Sequence, residues 1–231
     1  MELTKTPKNP IIIQGFPGFG LVGTITTEFL IRHCKCELIG KMWFEDLPAA
    51  LAIHKGDIIH PIGIYYNEDY NLIILHSISG GQGIEWRIAD FLIELGNKLD
   101  ATEFLCLEGV GLTEEKEQPD VFFYSSTKER KKYMDEKNLT QLNEGVMMGV
   151  TSALMLKAQR QVTTLFVETH SDYPDSKAAA ELIKALDKVL DLNVDPEPLY
   201  ESAKVFEENF NKIIKQNQTT KKKKEQMHYL G

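Results

Sequence analysis

The sequence contains no long apolar run and no apolar leader. It has no stretch of 18 consecutive apolar residues, whereas a membrane-spanning helix needs about 20. The first seven residues, which include one lysine and one glutamate, lack the apolar core of a signal peptide. We therefore expect a cytoplasmic protein that does not bind a membrane.

Cysteine is also scarce, at three residues in 231. Cys106 lies inside an apolar run, which predicts a buried thiol. Cys34 and Cys36 have no second ligand pair at the spacing of a zinc site, so free thiols near a helix end are the better interpretation. We expect no disulfide and no bound metal.

The charge is acidic and unevenly distributed. The net charge is -8, and without the four positive charges of Lys221–Lys224 the remainder carries -12. Such a body repels phosphate, which argues against binding to nucleic acid. The four lysines remain available for an acidic protein surface.

The segment 10–23 runs from an apolar strand through a glycine-rich turn into a helix. Glycines allow tight reversal and close backbone approach. A dinucleotide-binding pattern, G-x-G-x-x-G, fits residues 18–23, but Phe16 and Phe19 fill space that a pyrophosphate needs. We therefore predict a structural glycine loop. Its residues are Gly15, Pro17, Gly18, Gly20 and Gly23.

Strand and helix patterns alternate along the rest of the chain. This alternation predicts an α/β fold with a mostly parallel sheet flanked by helices, and a C-terminal helical extension. The predicted strands are 37–44, 58–66, 71–76, 102–109 and 163–168, and the predicted helices are 20–33, 84–99, 175–189 and one starting near 197.

Two segments give weaker signals. Residues 112–143 contain a possible strand at 121–125 and a charged stretch at 128–137, and we expect them to be irregular. Residues 145–156 are apolar on nearly all sides, which predicts a buried helix with close packing at Gly145, Gly149 and Ala153.

Catalytic signals are weak. In a parallel sheet, sites form at the carboxyl ends of the strands, which here means the glycine loop, 77–82, 108–111 and 168–172. Glu168, His170 and Asp172 could supply a base and an orienting carboxylate, although alternate residues of one loop rarely converge. There is no G-x-S-x-G nucleophile motif. We expect no catalytic residue and no cofactor.

Three segments, in order, resemble the PAC2 family of proteasome assembly chaperone relatives. Residues 15–23 resemble its G-x-P-G-x-G-x-V-G start, and residues 144–156 resemble its glycine-spaced helix. Residues 167–179 resemble its G-E-x-x-G-Y-x-x-D-P-x-A-A loop, with Val167, Asp172 and Ser176 at positions where the family has glycine, glycine and proline.

The resemblance implies a phosphorylase-like α/β fold, homo-oligomers and contact with the proteasome. We expect a PAC2-like domain at 1–192, a C-terminal helix packed on it at 193–214, and a flexible tail at 215–231. The helix carries an apolar stripe suited to packing on the body or on another subunit. The stripe consists of Leu199, Ala203, Phe206, Phe210 and Ile213.

The last five residues resemble a family tail in which a hydrophobic residue, Tyr and any residue dock on the α-ring of the 20S proteasome. Tyr229 is third from the end, one position away from the family pattern. The function implied is assembly chaperone or ATP-independent proteasome-binding factor. A phosphorylase- or hydrolase-like enzyme and an adaptor for another partner remain alternatives. The tail comprises Met227, His228, Tyr229, Leu230 and Gly231.

Overall fold

The computed structural model describes residues 2–46, 51–54, 57–111, 118–169 and 173–203. Its centre is an eight-stranded sheet in the order β2-β5-β6-β1-β7-β10-β8-β9. A separate hairpin pairs β3 with β4. The strands are β1 Ile11–Gly15, β2 Glu37–Met42, β3 Ala52–His54, β4 Asp57–Ile59, β5 Ile62–Asn67, β6 Leu72–Ser77, β7 Glu103–Gly111, β8 Val121–Ser125, β9 Thr140–Gln141 and β10 Gln161–Thr169.

The central strands β6, β1, β7 and β10 are parallel. Towards the two edges, β5 and β2 on one side and β8 on the other add antiparallel pairs. The predicted α/β architecture is confirmed, with a mixed sheet whose parallel part is its centre. The carboxyl ends of the four central strands therefore lie along one end of the sheet.

Helices cover both faces of the sheet, because the central strands are apolar on both sides. Helices α1, α3 and α5 pack on one face and α2 and α4 on the other, each with its own apolar cluster. Within the described residues, no helix is long and apolar enough to cross a membrane. The helices are α1 Val22–His33, α2 Glu85–Leu99, α3 Lys128–Glu136, α4 Val150–Lys157 and α5 Ser176–Leu190.

The two longest helices follow from their apolar spacing. In α2, Ile88, Leu92 and Leu95 recur every three to four residues and are fully buried. Helix α5 begins where the Asp175 side chain accepts a hydrogen bond from Ala178 N, as the sequence predicts for a capping aspartate. Cys106 is fully buried, which confirms the prediction for that thiol.

The charged stretch at 128–137 was expected to be irregular, and this prediction is wrong. Residues Lys128–Glu136 form α3. The Thr127 hydroxyl caps its first turn by accepting from Arg130 N, and the Arg130 guanidinium pairs with the buried Glu103 carboxylate at 2.9 Å. A cap and a buried ion pair thus anchor a helix that has little apolar surface.

The predicted buried helix at 145–156 is also wrong in its first half. Helix α4 begins only at Val150, and Gly149 precedes it with φ of 87°. Val146 is 93% exposed and Met148 is 78% exposed. Residues 145–149 are therefore a surface loop, which stands at the sheet end where β1 and β7 finish.

The single strand predicted at 58–66 is divided between two sheets. Residues Asp57–Ile59 pair with β3, whereas Ile62–Asn67 join the main sheet and pair antiparallel with β6. Pro61 lies between them, and proline cannot donate to a strand ladder.

The described part of the C-terminal extension packs on the body. Residues 197–203 are helical, and Leu199 and Ala203 are buried. The Tyr200 hydroxyl donates to the Glu181 carboxylate of α5 at 2.6 Å. The other stripe residues, Phe206, Phe210 and Ile213, lie outside the described residues, and the proposed division at 192 and 214 stays a prediction.

Backbone contacts at the glycine loop generate the first testable prediction. A Cβ added to Gly15 would lie 2.2 Å from Gly23 O, so Gly15→Ala must push β1 away from α1. We expect it to lower the free energy of unfolding by about 1–3 kcal/mol or more, measured by urea denaturation.

Gly80→Ala is the matched control. In the described structure an added Cβ there meets no atom within 4 Å, and its effect should stay within about 0.5 kcal/mol. Equal effects of the two substitutions would show that close packing at Gly15 is not what the fold requires.

Candidate functional site

The glycine loop connects β1 to α1 through a short 3₁₀ turn at Phe19–Leu21. Gly20 adopts φ of 62°, a conformation that side chains disfavour. A Cβ on Gly20 would lie 2.5 Å from Thr169 Oγ1. The loop thus sits tightly against the end of β10.

Asp175 fixes the position of this loop from the other side. Its backbone N–H donates to Gly20 O at 2.8 Å, and its carboxylate accepts from Thr169 Oγ1 at 2.7 Å. The same carboxylate caps α5. One aspartate therefore links the glycine loop, the end of β10 and the start of α5.

The other side of the glycine loop borders a cleft of about 720 Å³ at the carboxyl ends of β1 and β7. Its walls are apolar, and the loop at 146–149 closes one side. A cleft of this size is typical of a small-molecule site. The predicted loop residues Pro17 and Gly18 both line it.

A chain of polar side chains leads from the core to this cleft. Gln14, fully buried in β1, donates from Nε2 to Thr151 Oγ1 at 2.6 Å. The Thr151 hydroxyl in turn donates to Glu108 Oε1. Each donor points towards Glu108, so the chain ends on its carboxylate at the cleft.

Burial raises the pKa of the Glu108 carboxyl to about 7, and the hydrogen bond from Thr151 opposes part of this shift. Behind it, burial raises the pKa of the Cys106 thiol to about 12, so this thiol stays protonated. Glu108 is therefore a carboxylate that gains or loses its proton near neutral pH.

Other predicted site residues have different surroundings. Glu168 is buried and its Oε2 accepts from Asp120 N at 3.0 Å, which ties β10 to the segment before β8. His170, Asp172 and the tail residues 227–231 lie outside the described residues. Across the described part of the chain, no group of three or more His, Cys, Asp or Glu is placed to hold a metal ion.

Sequence reasoning placed 108–111 among the strand-end candidates but missed Gln14 and Thr151. A signal was present for Gln14, because it is the one polar residue in a strand of isoleucines. Thr151 stands in an apolar helix 43 residues from Glu108, and no local pattern connects them.

The large central sheet with helices on both faces defines an α/β protein. The family model described as "PAC2 family" matches residues 12–214. The chain therefore belongs to the PAC2 family, as its glycine loop predicted.

Solved structures and curated proteins agree with this membership. PbaA of Pyrococcus furiosus, described as an archaeal homolog of proteasome-assembly chaperone, has a TM-score of 0.84 and 29% identity, covering 98% of this chain and 96% of that one. PbaB of the same organism, described as an archaeal proteasome activator, has a TM-score of 0.79 and 22% identity, covering 91% of this chain and 96% of that one.

A curated relative from Methanocaldococcus jannaschii, described as uncharacterized, is 26% identical over 96% of this chain and 94% of its own length. The likeness therefore extends over essentially the whole of both chains.

Glu108 generates a prediction of pH dependence. Its pKa is raised from 4.5 to about 7 in the fold, so the folded state holds the proton more tightly than the unfolded state. The associated stabilisation is complete below pH 4.5 and is lost as pH rises through about 7. Glu108→Gln removes this titration, and should stabilise the protein more at about pH 8 than at about pH 5, by up to about 3 kcal/mol.

Urea denaturation of both proteins at the two pH values measures the difference. Glu85→Gln makes the same change at a second carboxylate of the cleft, which accepts from Gly83 N at 3.1 Å, and controls for the loss of a negative charge there. If Glu108→Gln changes the free energy of unfolding by the same amount at both pH values, this carboxyl does not titrate between them.

Proposed function

We propose that this protein is a proteasome assembly chaperone or an ATP-independent proteasome-binding factor, and that it docks on the α-ring of the 20S core. The observation that carries the proposal is the full-length likeness to PbaA, at a TM-score of 0.84 and 29% identity. The likeness covers 98% of this chain and is not confined to the central sheet. It therefore supports a shared role better than similarity of the sheet alone would.

The C-terminal tail is the docking element in this proposal. Tyr229 offers an apolar ring with a polar hydroxyl, and the terminal carboxylate of Gly231 can pair with a lysine in a pocket. The cluster Lys221–Lys224 adds salt-sensitive attraction to an acidic surface. These are the features of a peptide ligand that is captured in a groove.

Self-association forms the second part of the proposal. Several tails on one homo-oligomer raise the effective concentration of each at the ring, so weak single contacts become tight as a set. The buried Leu199 and Ala203 begin an apolar stripe that continues in the sequence to Ile213. A cytoplasmic location is part of the same proposal, because the partner is there.

The negative charge of the cleft argues against an enzyme that transfers phosphoryl groups or cleaves its substrate with phosphate. The described lining contains Glu85 and Glu108 and no lysine, arginine or histidine. Two like charges about 4 Å apart repel by about 4 kcal/mol at an effective dielectric constant near 20. A phosphate at the glycine loop would face Glu108 across Gly18, which disfavours both a nucleotide and the phosphorylase alternative.

Removal of the Tyr229 side chain tests the docking proposal. We expect Tyr229→Ala, or deletion of residues 227–231, to abolish co-sedimentation with 20S particles from the source organism, because the aromatic anchor is lost. Tyr229→Phe keeps the ring and should retain most of the binding. Circular dichroism and light scattering check that fold and oligomer are unchanged.

Deletion of Gly231 alone tests the register of the tail. Improved binding would mean that Gly231 hinders docking. Loss of binding would mean that the pocket recognises a tail that ends in Gly231. If the five-residue deletion binds as well as the full chain does, the contact lies on the folded body and the tail proposal fails.

Oligomeric state is tested separately. We expect light scattering at micromolar concentration to give a homo-oligomer, because the proposal assigns the later stripe residues Phe206, Phe210 and Ile213 to a contact between subunits. Phe206→Glu places a charge within the stripe and should lower the mass or the stability. A monomeric wild-type protein would contradict self-association.

A further inference from the structure

The cleft beside the glycine loop has the construction of a ligand site that the proposed function does not use. Its volume is about 720 Å³, within the range of small-molecule pockets. Aromatic and aliphatic side chains form most of its walls, and a carboxylate lies among them. The apolar wall consists of Phe16, Phe19, Val146, Met147, Met148 and Phe166.

The wall is accessible rather than closed off. Phe19 is 53% exposed, and Val146 and Met148 are more exposed still. Large apolar side chains cost free energy when they face water. Their concentration around one opening, with Glu108 at the end of a buried polar chain, indicates a surface that a ligand covers.

The polar chain prepares Glu108 as an acceptor. Because Gln14 Nε2 donates to Thr151, the single hydroxyl proton of Thr151 is left for Glu108 Oε1. This arrangement suits an ionised carboxylate, since a protonated one would compete as a donor. Gln14 and Thr151 are both fully buried, so water cannot readily reorganise them.

The second carboxyl oxygen of Glu108, Oε2, lies on the side of Gly18, and both residues line the cleft. Oε2 lies 3.5 Å from the position that a Cβ on Gly18 would occupy, and among the described residues no side chain donates to it. Gly18 therefore leaves space at the point where a donor could reach Oε2. No described lysine, arginine or histidine lines the cleft to neutralise the charge.

We propose that this cleft binds a small organic cation, an amine with an apolar body, whose ammonium group donates to Glu108 Oε2. The apolar body of the amine lies against the aromatic and methionine wall, where binding removes apolar surface from water. A charge-assisted hydrogen bond in a partly dehydrated cleft is stronger than one between neutral groups. An anion of the same shape is repelled by Glu108 and Glu85.

Three probes of one shape and different charge test this proposal: benzylamine, benzyl alcohol and benzoate. Each is titrated into the full-length protein at about pH 8, where Glu108 is ionised, and binding is followed by isothermal titration calorimetry and by amide chemical shifts. We expect saturable binding of benzylamine, at least about tenfold tighter than that of benzyl alcohol. Benzoate should bind more weakly than the alcohol.

Two variants locate the binding site. Glu108→Gln should weaken benzylamine at least about tenfold and remove its advantage over benzyl alcohol, whereas Glu85→Gln in the same cleft should change it less than about threefold. Thr151→Val removes the donor to Oε1 and should weaken benzylamine without abolishing its preference over benzoate. Urea denaturation shows that each variant is folded.

The pH profile gives an independent readout. Affinity for benzylamine should rise between about pH 6 and pH 8 as Glu108 ionises, and Glu108→Gln should flatten this rise. Among the described residues, the titratable groups that share the cleft with Glu108 or interact with it are Glu85 from α2 and Cys106 from β7. A rise that persists in Glu108→Gln would assign it to another group.

The proposal is overturned if benzylamine shows no saturable binding, if benzoate binds as tightly as benzylamine, or if Glu108→Gln retains wild-type affinity. None of these outcomes depends on the proteasome, because the tail residues and 20S particles take no part in the measurement.

Discussion

The close contact between the end of β1 and the start of α1 is the constraint on which the rest of the structure depends. Gly15 and Gly23 face each other without side chains, and a Cβ on Gly23 would also lie 2.8 Å from Leu107 O. The first helix is thus held against two neighbouring central strands. A Cβ on Gly109 would lie 2.3 Å from Phe19 O. Four backbone segments therefore meet in a space that side chains would fill, and the cleft lies beside them.

Sequence reasoning predicted the regular core well, for a physical reason. Strand β7 is buried from Glu103 to Leu107 and contains a continuous apolar run, whereas α2 and α5 keep the helical spacing of apolar residues on their buried faces. The family motif at 15–23 identified the glycine loop before any coordinate was known. In each case, residues that are close together in the sequence also lie in the same environment in the fold. A local sequence pattern is therefore enough to predict the structure there.

The errors occurred where distant residues decide the structure. The loop at 145–149 is as apolar as a buried helix, but it lines a cleft whose other walls come from β1, β7 and the glycine loop. Helix α3 is too charged to be predicted from apolar spacing, and it depends on an ion pair between Arg130 and Glu103, 27 residues away. Gln14 and Thr151 are 137 residues apart, so only the assembled fold brings their side chains together.

Glu108 lowers the free energy of unfolding when it is ionised, and this cost bears on the role of the cleft. A buried carboxylate that has no lysine, arginine or histidine among the described residues of its cleft destabilises the fold above its pKa of about 7, and a glutamine of nearly the same shape would avoid this cost. The fold nevertheless commits a buried glutamine and a buried threonine to positioning that carboxylate. Groups that lower stability are typical of functional sites, since packing alone gives no reason to keep them. A chain that served only as a rigid support for a C-terminal tail would need neither the charge nor the chain of donors behind it. The proposed ligand site in the cleft and the proposed docking role of the tail are therefore separate hypotheses, and each can fail without the other.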